Sequence, residues 1–388
     1  MKCYELNSEL DIYTLLSKLE VSKAGVQILA SKSRIHYLYI QDLRTPGANI
    51  LKQDALSVGA DVAVPKGAIC CETAHVNALL MGTLAQFRVL GKKLKAQPFG
   101  LKEIASVLEN MQIKYTLKKP QVMGVVNANE DSFFRGSRFS GSQAIEHIQL
   151  MISQGAKMID LGGVSSRPGS EYVDPKVELE RIKPIIDAIY SKKLYEKATF
   201  SLDSYAPNCI EYALDRGFGF INDITGLRND AVAKLGARYK VPVCIMHMQG
   251  TPQNMQDNPK YEDVIAEVDA FFTTQLEKAK SFGIEEVILD VGIGFGKRLE
   301  DNLLLLKHLR HFLHHGCELL IGVSRKSMIN AIVPTPVDER LPGTLALHLE
   351  AINQGASIVR VHDVKEHVQA IEVAWSLKKS LLQDSANT

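Results

Sequence analysis

The chain has 388 residues, 46% hydrophobic and 23% charged, ordinary globular values that set aside disordered, collagen-like and membrane-embedded classes. Lys plus Arg (45) nearly balances Asp plus Glu (44). No global basic field exists for nucleic acid or anionic lipid, so any anion must be held by local placement of charge. Residues 1–9 lack the basic-then-apolar pattern of a leader, and no run of about 18 apolar residues occurs. The six cysteines show no C-x-x-C spacing. They read as reduced thiols, and the expectation is a cytoplasmic protein with no nucleic-acid or membrane partner.

In chain order, residues 1–118 read as a small α/β domain of unknown role. Strands are expected at 26–30, 36–40, 61–64 and 68–71, and helices at 51–58 and 83–92. From 119 to 388 a unit recurs, in which a short apolar run ends in a polar or Gly-rich turn and an amphipathic stretch follows. The runs are 121–127, 157–161, 199–203, 218–223, 241–247, 286–290, 318–323 and 357–362. They are almost continuously apolar, as parallel strands buried on both faces are. Helical patterns at 264–282, 301–314 and 341–354 lie between the later ones. Eight such units predict an α/β fold, a closed (β/α)8 TIM barrel, with the N-terminal α/β domain as an addition. An open doubly wound sheet is the competing reading. It is disfavoured because no dinucleotide fingerprint follows the first run, and Gly292–Gly296 lacks the G-x-G-x-x-G spacing.

Barrel chemistry gathers at the C-terminal ends of the strands, and every run here ends in groups that bind or react. Asp203, Asn222 and Asp290 offer carboxylates and an amide to a flat heterocycle with both donors and acceptors, with Met246 and Phe295 available for its faces. Asn127, Arg360 and His362 stand on the first and last runs, neighbours in a closed barrel, and form an oxyanion or metal-phosphate corner. Lys326 lies between the two groups. The residues point to an enzyme that joins a polar aromatic ring system to something carrying phosphate. His247 is expected in the barrel wall. Lys297 reads equally as solvated or as part of the site, and Arg325 equally as an ion pair or a substrate contact. His308, His311, His314 and His315 have helical spacing and are expected to form a solvated face of an outer helix.

These segments resemble the dihydropteroate synthase family. The resemblance is carried by Met123-Gly-Val-Val-Asn127, Gly162-Gly-Val-Ser-Ser-Arg-Pro-Gly169, Ser201-Leu-Asp203-Ser204, Ile221-Asn-Asp-Ile224, Met246-His-Met-Gln-Gly250, Leu289-Asp-Val-Gly-Ile-Gly-Phe-Gly-Lys297, Gly322-Val-Ser-Arg-Lys-Ser327 and Arg360-Val-His-Asp363, all in family order. It implies attack of the p-aminobenzoate amine on a dihydropterin-methyl pyrophosphate, giving dihydropteroate and pyrophosphate in folate synthesis. It further implies that Asp203, Asn222, Asp290 and Lys326 hold the pterin, with Met246 and Phe295 packed near it. Asn127 would ligate Mg2+ on the pyrophosphate, while Arg360 and His362 would bind the leaving group. Ser166, Arg167, Pro168 and Ser327 would shape the p-aminobenzoate pocket, which is the sulfonamide target in this family. A homodimer is implied by the same resemblance. A pterin-dependent methyltransferase and a non-catalytic pterin-binding barrel are the alternatives.

Overall fold

The computed structural model describes all residues except 1–2, 4–5, 7–9, 112–117, 129–141, 166, 168 and 381–388. The chain divides into two compact units, and the larger spans Lys118–Trp375.

In the smaller unit, strands β1 (Ile35–Arg44), β2 (Asp61–Ala63) and β3 (His75–Thr83) form an antiparallel sheet in the order β1-β3-β2. Its core gathers Leu51, Leu80, Phe87, Leu90, Leu94, Leu101 and Leu108, all fully buried. The helix Leu84–Leu94 starts with a capping box in which Thr83 and Gln86 exchange hydrogen bonds with each other's backbone N–H groups. Two expected strands fail here. Residues 26–30 belong to the helix Lys23–Ala30, whose amino end Ser22 caps, and 68–71 fall on a 3-10 turn, Lys66–Cys70. Short apolar runs do not reveal their period, and a cap outweighs β-branched content.

The larger unit is a closed barrel of eight parallel strands. These are β4 (Gln121–Asn127), β5 (Met158–Gly162), β6 (Thr199–Asp203), β7 (Phe220–Asp223), β8 (Val243–Met246), β9 (Val287–Asp290), β10 (Glu318–Ile321) and β11 (Ile358–Val361). β11 pairs with β4 and closes the ring. All eight expected runs are strands, and the helix Val264–Phe282 fills its expected span. The pattern at 301–314 resolves into an α-helix, Leu299–Lys307, followed by a 3-10 helix, Leu309–His315.

Side chains alternate across a strand, so inward positions recur every second residue. That rule builds the barrel interior in layers. Met123, Met158, Phe220, Cys244, Ile288, Leu320 and Ile358 form a buried apolar plug. Two residues further along five of these strands stand Asp160, Asn222, Met246, Asp290 and Arg360. The interior therefore changes from apolar to mainly polar within one step of about 6.5 Å, the rise of two strand residues. The outward faces of the strands bury Ile159, Leu161, Phe200, Leu202, Ile221, Val359 and Val361 in the main core.

Candidate active site

Asp160 is the hub of the polar layer. It is fully buried, and its Oδ2 accepts from Arg360 Nε at 2.6 Å and Asn222 Nδ2 at 3.1 Å. Its Oδ1 accepts from the Ser201 hydroxyl. The Arg360 guanidinium also donates from Nη2 to Asp203 Oδ2 at 2.8 Å. Strands β5, β6, β7 and β11 thus meet in one charged network. Burial pushes the Asp203 carboxyl up to about 7 although Arg360 pulls it down, and the negative charges of Asp160 and Glu178 add to the rise. Burial likewise raises Asp290, against the pull of Lys326. Burial opposes charge on Arg360 too, but Asp160 and Asp203 keep it protonated.

The loop after β9 lies close against the end of β8, and glycine makes this possible. Gly292 has φ +67°, and a Cβ there would come within 1.9 Å of the His247 carbonyl oxygen, so no other residue fits. Asp290 Oδ1 accepts from the Gly292 N–H at 2.8 Å and anchors the turn. Lys297 clamps it from beneath. The buried Nζ donates to the carbonyls of Gly292 (3.1 Å), Phe295 (3.1 Å) and His247 (3.2 Å) and lies 2.9 Å from His247 Nδ1. Burial brings Lys297 down to about 7 and His247 down to about 2, so the imidazole is neutral and accepts. The open choice for Lys297 is decided for a loop clamp, and His247 sits buried at the wall as expected.

Lys326 reaches across to the same loop, donating to the Ile293 carbonyl with its Nζ 4.5 Å from the Phe295 ring centroid. Burial lowers it to about 8, with Asp290 opposing and Arg360 adding to the fall. Met246 is buried with Ile224, Met248 and Met255, and Phe295 packs on this group. An apolar patch therefore flanks the polar floor.

The corner of β10 and β11 is built differently. Ser324 Oγ lies 2.8 Å from His362 Nδ1 and accepts the His362 backbone N–H at 3.2 Å. Burial and the charge of Arg360 lower His362 to about 3, so the ring is neutral. Arg325 forms a two-pronged ion pair with Asp363, Nε to Oδ2 at 2.9 Å and Nη2 to Oδ1 at 2.7 Å. Its Nη1 donates to the Val337 and Asp338 carbonyls. That decides its role as a loop tie. Behind it, the buried His348 Nε2 accepts the Val323 N–H at 3.2 Å, and its Nδ1 lies 2.9 Å from Nε2 of the buried His367. His367 Nδ1 meets the Asp363 carbonyl at 2.6 Å. Two neutral rings thus join the loop bearing Lys326 to the loop bearing His362.

Asn127 ends β4, in register with Gly162, which is in register with Asp203, which is in register with Asn222. The arrangement brings Asp203, Asn222, Asp290, Lys326, Arg360 and Asn127 to one end of one barrel. Ser327 is exposed at the first residue of the helix Ser327–Ile332. Arg167 is half-buried after β5, with its N–H 3.4 Å from Ser165 Oγ. Ser166 and Pro168 lie outside the described residues. Asp160 and Ser324 were legible only as polar strand ends; their partners in the network and at His362 were not. The signal for Asp160 was its place two residues after an inward Met158.

A family model described as "Pterin binding enzyme" matches residues 123–362. The bifunctional dihydropteroate synthase/dihydropteroate reductase of Helicobacter pylori is 39% identical over 365 residues, 94% of this chain and 96% of that protein. Dihydropteroate synthase of Escherichia coli is 43% identical over 260 residues, 66% of this chain and 91% of its own. A crystal structure of Yersinia pestis dihydropteroate synthase with a sulfonamide drug complex superposes with TM-score 0.65 at 38% identity, covering 68% of this chain and 95% of that one. This chain belongs to the dihydropteroate synthase family. It is a transferase of folate biosynthesis that condenses a (dihydropterin)methyl diphosphate with 4-aminobenzoate, releasing dihydropteroate and diphosphate. Dihydropteroate synthases are pterin-binding TIM barrels, and the eight-stranded ring here has that architecture.

Proposed function

We propose that the pterin sits on the layer formed by Asp203, Asn222 and Asp290, with Lys326 at its rim and Met246 and Phe295 on its apolar side. The single observation that carries this reading is the Asp160–Arg360–Asp203 network. In this reading an acceptor for the ring's N–H donors, Asp203, and the cation for the leaving group, Arg360, are direct partners. Departure of diphosphate leaves positive charge on the pterinylmethyl carbon. The surrounding carboxylates favour that charge, while Arg360 and His362 stabilise the negative charge growing on the leaving oxygen. With Ser324 giving its proton to Nδ1, His362 presents Nε2–H to the diphosphate. Positioning of the weak aromatic amine by Arg167, Ser327 and the segment holding Ser166 and Pro168 supplies much of the rest.

A Mg2+ ion fits this site through Asn127. An amide oxygen is a hard, neutral donor, and Mg2+ takes few protein ligands when water and substrate phosphates complete its shell. When bound, the ion would neutralise the charge of the diphosphate. The deciding experiment measures diphosphate release by the purified chain with pterin diphosphate, 4-aminobenzoate and Mg2+. Release that requires both organic substrates supports the reading. Pterin binding without release supports a non-catalytic barrel, and methyl transfer without diphosphate release supports the methyltransferase alternative.

A second reading concerns the N-terminal unit. The Helicobacter pylori relative is named for a dihydropteroate reductase as well, and a match of 365 residues runs through most of the first 117. The Escherichia coli relative matches 66% of the chain. We propose that the longer chain adds reduction of dihydropteroate to the synthase. A two-electron donor would deliver hydride to the C=N bond and solvent a proton to the nitrogen. Incubating the full chain with dihydropteroate and a reduced nicotinamide or reduced flavin tests this; synthase turnover with no tetrahydropteroate under either donor removes it. The protein is further proposed to be a cytoplasmic homodimer, to be checked by sedimentation and cell fractionation. Among the described residues, no helix is long and apolar enough to cross a membrane.

A further inference from the structure

The expected solvated histidine face is exposed at His308, His311 and His314, as the spacing implied, but it is not without partners. His311, His314 and His315 turn their Nε2 atoms onto a single oxygen, Asp269 Oδ1, at 3.2, 2.6 and 2.9 Å. The local helix type explains the convergence. The segment Leu309–His315 is a 3-10 helix, in which side chains at i and i+3 eclipse. His311 and His314 therefore stand one above the other, their ring centroids 5.0 Å apart. An α-helical turn over the same residues would fan them by about 60°, the difference between three residues and a full turn of 3.6.

The opposing element is equally fixed. Asp269 and Phe272 lie three residues apart on the helix Val264–Phe282, hence on one face. Phe272 packs edge-on against the buried Phe312 at 5.6 Å and against His315 at 6.1 Å. The aromatic contact holds the carboxylate against the imidazoles before anything binds. Two of the rings hydrogen-bond one oxygen and the third stands 3.2 Å from it, while Asp269 Oδ2 takes no hydrogen bond among the described residues.

We propose that Asp269, His311 and His314 form a binding site for a divalent transition-metal ion of the zinc class, separate from the pterin site. One ligand atom from each lies within 4.8 Å of the other two. A tetrahedral ion with bonds of about 2.0–2.1 Å spaces its ligands by about 3.3 Å, so the 3.2 Å Asp269–His311 spacing already matches and the 2.6 Å Asp269–His314 spacing must open. Two imidazole nitrogens and one carboxylate select zinc, nickel or cobalt over magnesium or calcium, which prefer oxygen alone. His315 is the supporting partner that orients Asp269. His311 and His314 are 44% and 40% exposed, which leaves the fourth position to water. The occupied site would pin the 3-10 segment to the helix Val264–Phe282.

The test uses the full chain with no affinity tag, in excess Mg2+, titrated with Zn2+ by calorimetry and with Co2+ by visible absorption. About one equivalent of Zn2+ and a tetrahedral Co2+ band are expected, with a rise in Tm. The double variant His311→Ala/His314→Ala should lose both signals, and His308→Ala should keep them. His315→Ala should weaken binding about 10–100-fold, as loss of a ligand's supporting partner does. Near-ultraviolet circular dichroism and synthase turnover verify that each variant is folded. Absence of a stoichiometric Zn2+ event, or binding undiminished in a folded double variant, overturns the site.

Discussion

Two arginines near the ends of neighbouring strands hold opposite positions in this barrel. Arg325 spends its guanidinium inside the protein. Nε, Nη1 and Nη2 all have carboxylate or carbonyl partners, and the side chain is 6% exposed. Arg360 bridges two buried carboxylates, yet it remains 23% exposed, and its Nη1 has no partner among the described residues. The first ties two loops. The second is held in place by the protein with donor capacity to spare for a ligand. An identical side chain is thus spent on the scaffold or left with donors free for a ligand according to how many of its five N–H groups the fold consumes.

The comparison breaks if the two substitutions behave alike. Arg360→Ala should cost the largest effect, a fall in turnover of about 10²–10³-fold, the range for loss of one preorganised donor to a developing anion. Affinity for 4-aminobenzoate should change little, because the partner proposed for Arg360 is the leaving group. Arg325→Ala should instead destabilise by about 3–5 kcal/mol at most, since the half-buried Asp363 loses its cation. Differential scanning calorimetry should show that loss with pterin affinity preserved in the folded fraction. Because Arg360→Ala also leaves the buried Asp160 and Asp203 without their cation, both variants should lose Tm, and the distinction lies in turnover per folded molecule; equal losses there would erase it. Next in size, Asp203→Ala should weaken pterin binding by about 1–3 kcal/mol through unpaired ring donors. Unchanged affinity by calorimetry would move the seat elsewhere.

A pH series sharpens the same contrast. Burial holds His348, His367, His247 and His362 below the ordinary value of 6.5. The unfolded chain takes up protons near 6.5, whereas the folded one does so only at lower pH. Their contribution to stability is therefore complete above about pH 7 and declines as pH falls below 6.5. Urea unfolding midpoints at pH 7.5 and 5.5 should differ in that direction; a flat midpoint removes the claim. The smallest effect is expected from Ser324→Ala, about 0.5–1.5 kcal/mol for one neutral hydrogen bond, read as a modest loss in kcat.

Much of this was legible because barrel strands are short apolar runs with polar tips, and period two then sorts inward from outward residues. Asp203, Asn222, Asp290 and Arg360 all emerge from that rule. The rest depended on contacts no local pattern encodes. Asp160 is inward at the same depth, but its importance lies in partners drawn from β6, β7 and β11. Lys297 carries no mark in the sequence that it would turn inward to gather three carbonyls. The histidines at 311–315 share the spacing of an ordinary solvated helix, and only the tightening to three residues per turn aims them together. In the N-terminal unit, the run at 26–30 has strand-like residues, yet Ser22 starts a helix there.

The paired imidazoles behind the active-site corner have a mutational consequence. Their hydrogen bonds run in one sense, from the amide of Val323 through His348 and His367 to the carbonyl of Asp363. Replacing either ring alone strands a backbone group in the interior, whereas exchanging both for hydrocarbon also forfeits the bridge between two catalytic loops. The two rings should therefore be strongly coupled, the second substitution adding little once the first has broken the chain.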